Sequence, residues 1–146
     1  MQTFLPYPDF KMSAACLDDK RLGKQRVECL QILRCLSGIT KGWRNHPAVK
    51  MWHPYVGYLN LYGKAICKEW IKRGFKDTCL QKIVQATIAF GPYAYKYGKP
   101  AWLGDPTFHA SHRSNLLRKN PEHYGRFGWT EPDDLPYVWP VRKDET

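Results

Sequence analysis

Residues 49–70 read VKMWHPYVGYLNLYGKAICKEW, and within that run Val49, Trp52, Val56, Leu59, Gly63, Ile66 and Trp70 recur at alternating spacings of three and four. An α-helix turns once in about 3.6 residues, so these positions form one continuous apolar stripe. Pro54 interrupts its start. Either the helix kinks there or the preceding residues form a separate turn. Arg73-Gly74 closes the element. Upstream, a second helical pattern runs from about Leu17 to Ser37, with Leu22, Cys29, Leu33 and Leu36 on one face and Gly38 as its stop. Downstream, Asp77 is the expected N-cap of a shorter helix carrying Leu80, Ile83, Val84 and Ile88 before Gly91-Pro92 ends it. From Pro92 onward proline, glycine and aromatic residues dominate, and only Ser111 to Leu117 reads as one short helix. The pattern predicts an all-α fold. It is one compact domain over residues 1–146, a bundle of about three main helices with an irregular, aromatic- and proline-rich C-terminal region.

The 146 residues carry a formal net charge of +10. Such a surplus on so short a chain implies an acidic partner, nucleic acid first and an anionic membrane second. Residues 1–76 hold 14 Lys/Arg against 5 Asp/Glu, whereas residues 127–146 hold 2 against 5. A basic body with an acidic end is expected where one face binds a polyanion. No apolar run approaches the ~20 residues needed to span a bilayer, and the N-terminus lacks the basic and apolar regions of a secretory signal. A cytoplasmic, nucleoid-associated monomer without a membrane partner is the expectation. Cys16, Cys29, Cys35, Cys67 and Cys79 are an odd set with no C-x-x-C pair. That argues against a disulfide framework or a zinc ribbon and for small buried apolar residues.

Three clusters carry possible chemistry. Opposite the apolar stripe of the first helix lie Arg21, Lys24, Gln25, Glu28 and Gln31. Glu28 is the one acid among them, and a carboxylate on a DNA-facing surface repels phosphate. From spacing alone, an i,i+4 ion pair with Lys24 is the better explanation. Between Gly42 and Pro54, Trp43, Arg44, Asn45, His46, Trp52 and His53 interleave rings with cations, as suits base stacking and phosphate contact. Trp52 lies on the apolar stripe and reads as core; for Arg44 and His46, DNA contact and helix capping are equally good readings. The third cluster is Trp102 to Asn115, where Asp105, His109 and His112 match no metal-binding spacing. As a polar loop entering a helix that ends in Arg118-Lys119, it suits phosphate contact through His109, His112, Arg113, Arg118 and Lys119.

Leu17-Asp18 through Arg26-Val27-Glu28, then Gly42-Trp43-Arg44-Asn45-His46-Pro47 and Ile71 to Thr78, together resemble the pyrimidine-dimer DNA glycosylases, the phage-type endonuclease V-like family. The C-terminal half looks like a bacterial and phage subgroup. The resemblance implies a compact helical bundle and double-stranded DNA with a damaged or modified base as partner. It also implies that no metal or other cofactor is needed. In that family, the resemblance implies, the N-terminal α-amine attacks C1′ of the damaged nucleotide, the base leaves, an imine forms, and β-elimination breaks the strand. Glu28 stands where the family's assisting carboxylate is expected, which turns the preference away from a surface ion pair. α-Amines titrate near ~7.7–8.0 and lysine ε-amines near ~10.4, so an α-amine is the readier nucleophile at neutral pH. Residue 2 is bulky, so the amine is that of Met1, or of Gln2 where Met1 is removed. DNA contact is expected from Arg21, Lys24, Gln25, Arg26, Arg44 and His46, and Trp102, Tyr124 and Trp129 are the rings expected to line the gap left by an extruded nucleotide. A non-catalytic DNA-binding protein, a glycosylase for another modified base and a metal-dependent nuclease are the alternatives.

Overall fold

The computed structural model describes residues 1–140, and among these every regular element is helical. The end of the acidic stretch, residues 141–146, lies outside the described residues. The helices are α1 (Phe10–Cys16), α2 (Asp19–Leu36), α3 (Pro47–Lys50), α4 (Val56–Lys72), α5 (Leu80–Ile88), α6 (Pro106–Lys119) and α7 (Pro121–Tyr124). Short 3-10 turns occupy Gly91–Tyr95 and Gly125–Phe127.

The long apolar stripe is buried as expected at Val49, Trp52, Val56, Leu59 and Ile66, but it spans two helices, α3 and α4, with a turn between them. Of the two alternatives at Pro54, the structure takes the separate turn: α3 ends at Lys50, the His53–Pro54 bond is cis, and α4 begins at Val56. α4 is the central element, with α1, α2 and α5 packed around it. Gly63 permits that approach, because a Cβ there would come within 2.7 Å of Cys29 Sγ and 3.1 Å of Ile83. All five cysteines are buried free thiols.

The expected Leu17–Ser37 helix is α2, Asp19–Leu36, and a short helix outside that span, α1, precedes it. α1 is capped by Asp9, whose carboxylate accepts from the Met12 amide at 2.9 Å; Leu17 then runs extended and buried, and α2 starts at Asp19. Asp77 is not an N-cap in position, since α5 starts at Leu80, yet its carboxylate accepts from the Cys79 and Leu80 amides and does a cap's work.

The largest departure is α6, twice the length of the expected Ser111–Leu117 segment. Asp105 caps it through the Thr107 amide at 3.0 Å, with Pro106 following at the first helical position. Its buried face carries His109, Ser111, His112, Ser114 and Asn115 beside Phe108 and Leu116, so no apolar periodicity announces it. Those polar groups hold the C-terminal segment. Asn115 donates to the Leu135 carbonyl, Ser114 accepts from the Leu135 amide, and Ser111 accepts from the Val138 amide at 3.1 Å.

Candidate active site and nucleic-acid interface

The first residues of the chain belong to no helix, and side chains distant in sequence satisfy their backbone groups. Glu28 Oε2 accepts from the Gln2 amide at 3.0 Å. Gln25 grips both sides of the next turn of chain, donating from Nε2 to the Gln2 carbonyl and accepting the Phe4 amide at Oε1, each at 2.8 Å. The Trp52 indole donates to the Thr3 hydroxyl, and the Tyr62 hydroxyl donates to the Phe4 carbonyl. From α6, His112 Nδ1 accepts the Leu5 amide at 2.9 Å, His109 Nδ1 lies 2.7 Å from the Leu5 carbonyl, and Arg113 donates to the Pro6 carbonyl. A buried polar backbone needs such partners, and here they fix the N-terminal residues in one place.

Glu28 and Gln25 therefore do not lie on an open helix face; they are 6% and 1% exposed because the N-terminal residues cover them. Lys24 does approach Glu28 Oε1, at 3.7 Å, but Lys24 itself stands in solvent. The stronger partners of the carboxylate are the Gln2 amide and Gln25 Nε2 at 3.1 Å. Over this carboxylate opens a pocket of about 310 Å³ lined by Met1, Gln2, Phe4, Lys20, Arg21, Lys24, Gln25, Glu28, Lys119 and Tyr137. Four cations thus ring one acid. Their mutual repulsion is felt at Lys119, whose ammonium is pushed down by partial burial and by the charges of Arg21, Arg118 and Lys24. A phosphate bound between them relieves that repulsion.

The loop before α3 reaches toward the same site through His46, whose ring packs against Trp139, a neighbour of the lining Tyr137. His46 Nδ1 accepts from the Ala48 amide at 3.0 Å and caps α3, so capping is one real role of this residue. Its ring sits edge-on to Trp43 and Trp139 at 5.6 and 5.9 Å. Burial and the N-terminal positive charge lower its pKa while Glu28 pulls the other way, which places the imidazole within electrostatic reach of both. Arg44 and Trp43 are exposed on this loop.

Several residues expected at the DNA surface are elsewhere. Arg26 points away from the pocket: it pairs with Asp77 and lies 4.4 Å over the Trp70 ring. Burial raises the Asp77 carboxyl, but the Arg26 contact and the Cys79 and Leu80 amides outweigh it and hold it below the usual range. His109 and His112 are 2% and 0% exposed and have no surface to offer a phosphate. Burial pushes His112 down to about 3, so it sits neutral in the core. Arg113 is engaged by Glu131 and Pro6, and Arg118, though exposed, donates to the Asp133 carbonyl and to Asn115. The rings expected to line a gap are also packed: Trp102 against Trp52, and Trp129 stacked on a fully buried Tyr124 at 5.6 Å. Lys20 and Tyr137 line the pocket and were not anticipated. Lys20 shares a helix face with Lys24, a usable signal; nothing in the sequence marks Tyr137.

Among the described residues no group of three or more His, Cys, Asp or Glu side chains is placed to hold a metal, and no helix is long and apolar enough to cross a membrane. No curated protein and no solved structure matches the chain. The model of one family, described as pyrimidine dimer DNA glycosylase, matches residues 1–83, a stretch that holds the N-terminal segment, Glu28 and the Trp43–His46 loop.

Proposed function

The chain belongs to the pyrimidine dimer DNA glycosylase family, and from that premise we propose that it excises a damaged pyrimidine through an imine on its own N-terminal amine, assisted by Glu28. The observation that carries this reading is the 3.0 Å contact between the Gln2 backbone nitrogen and Glu28 Oε2, at the floor of a cation-ringed pocket. With Met1 in place, its amine is one residue beyond the nitrogen that Glu28 holds. With Met1 removed, the Gln2 nitrogen is itself the amine and already touches the carboxylate.

The neutral amine attacks C1′ as the bond from C1′ to the base breaks. The base leaves with the electron pair and takes up a proton. Glu28 stabilises the positive charge that develops on the sugar and accepts the proton lost from nitrogen; the C1′–O4′ bond then breaks, O4′ leaves with its electron pair and takes up a proton, and the opened sugar is left joined to the amine as an imine. Removal of a C2′ proton then expels the 3′ phosphate and breaks the strand. Lys20, Arg21, Lys24 and Lys119 hold the flanking phosphates, with Arg44 on the neighbouring loop.

Borohydride reduction of the wild-type chain with an abasic duplex tests the reading directly. A covalent adduct mapped by mass spectrometry to the N-terminal peptide is the expected result, and it is insensitive to chelator. An adduct on a lysine, or none on a substrate the protein binds, rejects the N-terminal amine. DNA binding without any adduct supports the non-catalytic alternative.

A further inference from the structure

A second cavity, of about 300 Å³, lies between α4, α5 and the Gly91–Tyr95 turn, and it shares no lining residue with the Glu28 pocket. Its walls are Val84, Thr87, Ile88, Ala94 and the Tyr95 ring, and Asn60 of α4 supplies its polar spot. Asn60 is 2% exposed. Its Nδ2 donates to the Tyr95 hydroxyl at 2.8 Å, while its Oδ1 has no partner at all. A buried amide oxygen left unpaired carries a desolvation penalty that a ligand group can recover. The amide can present either its oxygen or its nitrogen to the cavity, because the Tyr95 hydroxyl answers as acceptor or donor. Tyr95 itself is held tightly: a Cβ on Gly57 would lie 2.3 Å from its ring.

The surroundings of the cavity are aromatic and cationic. Tyr93, Tyr95 and Tyr97 are exposed, and Lys96 stands 5.9 and 5.6 Å from the Tyr93 and Tyr97 rings. Between Asp77 and Asp105 the chain carries Lys82, Lys96 and Lys99 and no acidic residue. A flat wall, an amide edge that both donates and accepts, and cations without a competing acid are what a nucleotide requires.

We propose that this cavity is a second nucleic-acid site that takes an unpaired nucleobase. The base rests against Tyr95 and the aliphatic wall, its polar edge meets the Asn60 amide, and the flanking phosphates meet Lys96 and Lys99. The site is independent of the chemistry at Glu28.

The test uses the full chain and a single-stranded oligothymidylate carrying one 4-thiothymidine, with affinity read by fluorescence anisotropy and photocrosslinks mapped by peptide mass spectrometry. Crosslinks within residues 80–99 are expected, and Asn60→Ala and Ile88→Glu should each weaken binding by about fivefold or more. Ile88 is 69% exposed, so its variant folds even if Asn60→Ala does not. Crosslinks confined to the Glu28 pocket, or wild-type affinity in Ile88→Glu, overturn the proposal. Borohydride trapping on abasic duplex is read separately: its failure removes the reading of the Glu28 pocket and leaves this one standing.

Discussion

Replacing Glu28 by glutamine keeps the side chain's size and removes its charge, and the local geometry sets what that costs. Oε2 accepts two hydrogen bonds, from the Gln2 amide and Gln25 Nε2, while Oε1 faces the solvent-exposed Lys24. With its oxygen at the Oε2 position, the new amide still accepts both bonds, and its NH2 meets a lysine free to swing aside. Each bond falls from the charge-assisted class, ~1.5–3 kcal/mol, to the neutral one, ~0.5–1.5, so the fold loses about 2 kcal/mol. A domain with ~5–15 kcal/mol in hand survives that loss. A merely structural Glu28 would leave turnover of the folded fraction unchanged. A carboxylate that stabilises charge on the sugar and takes the amine's proton should lower the rate by ~10²–10⁴-fold, while DNA binding holds or tightens as a negative charge leaves the phosphate basin. Single-turnover base release on a duplex containing a cyclobutane dimer, with a thermal melt of the same sample, separates the two. A folded Glu28→Gln protein working at the wild-type rate would refute the assignment and move the chemistry elsewhere.

Four further outcomes follow from the same structure. Lys20, Arg21, Lys24, Lys119 and Arg44 should neutralise ~5 phosphates, giving a slope of log K against log salt near −4 to −5. Arg26→Ala should leave that slope intact while costing ~3–5 kcal/mol of stability by stranding Asp77; a slope shallower by about one would put Arg26 on the DNA. His112 has a folded pKa of about 3 against ~6.5 unfolded, so between those values the unfolded chain binds the extra proton and stability drops by roughly 1.4 kcal/mol per unit as pH falls. Urea titrations from pH 4 to 6 should show His112→Phe less stable at neutral pH but with that much slope removed, and an unchanged slope would mean the residue is not buried neutral. Gly63→Ala forces a methyl onto Cys29 and Ile83 and should lower stability by ~1–3 kcal/mol in the same assay; no loss would mean that α2 and α5 are free to move apart.

The parts of the fold legible in the sequence are those whose burial is apolar. Leu22, Cys29 and Leu33 on α2, and Val56, Leu59 and Ile66 on α4, repeat at helical spacing and are all buried. α6 escaped full recognition because serine, histidine and asparagine occupy much of its inner face, and their partners lie in chain segments that local patterning does not register. The same fact turned His109 and His112 from expected phosphate contacts into core residues. Arg26 shares a helix with Arg21 and Lys24 but faces Trp70 and Asp77, a direction that Asp77's distance in sequence concealed. The reading of Glu28 as an assisting carboxylate rests on resemblance to a family, whereas its cover of N-terminal residues carries no periodicity and is visible only in three dimensions.

The groups that grip residues 2–6 come from α2, α4, the turn after α3, and α6, the last contributing His109, His112 and Arg113. The end of the chain that is synthesised first is therefore positioned by residues synthesised more than a hundred positions later. Without α6, Leu5 and Pro6 lose His109, His112 and Arg113, while Gln2, Thr3 and Phe4 keep their partners on α2, at Trp52 and on α4. The position of the N-terminus beside Glu28 thus draws on contacts spanning nearly the whole sequence.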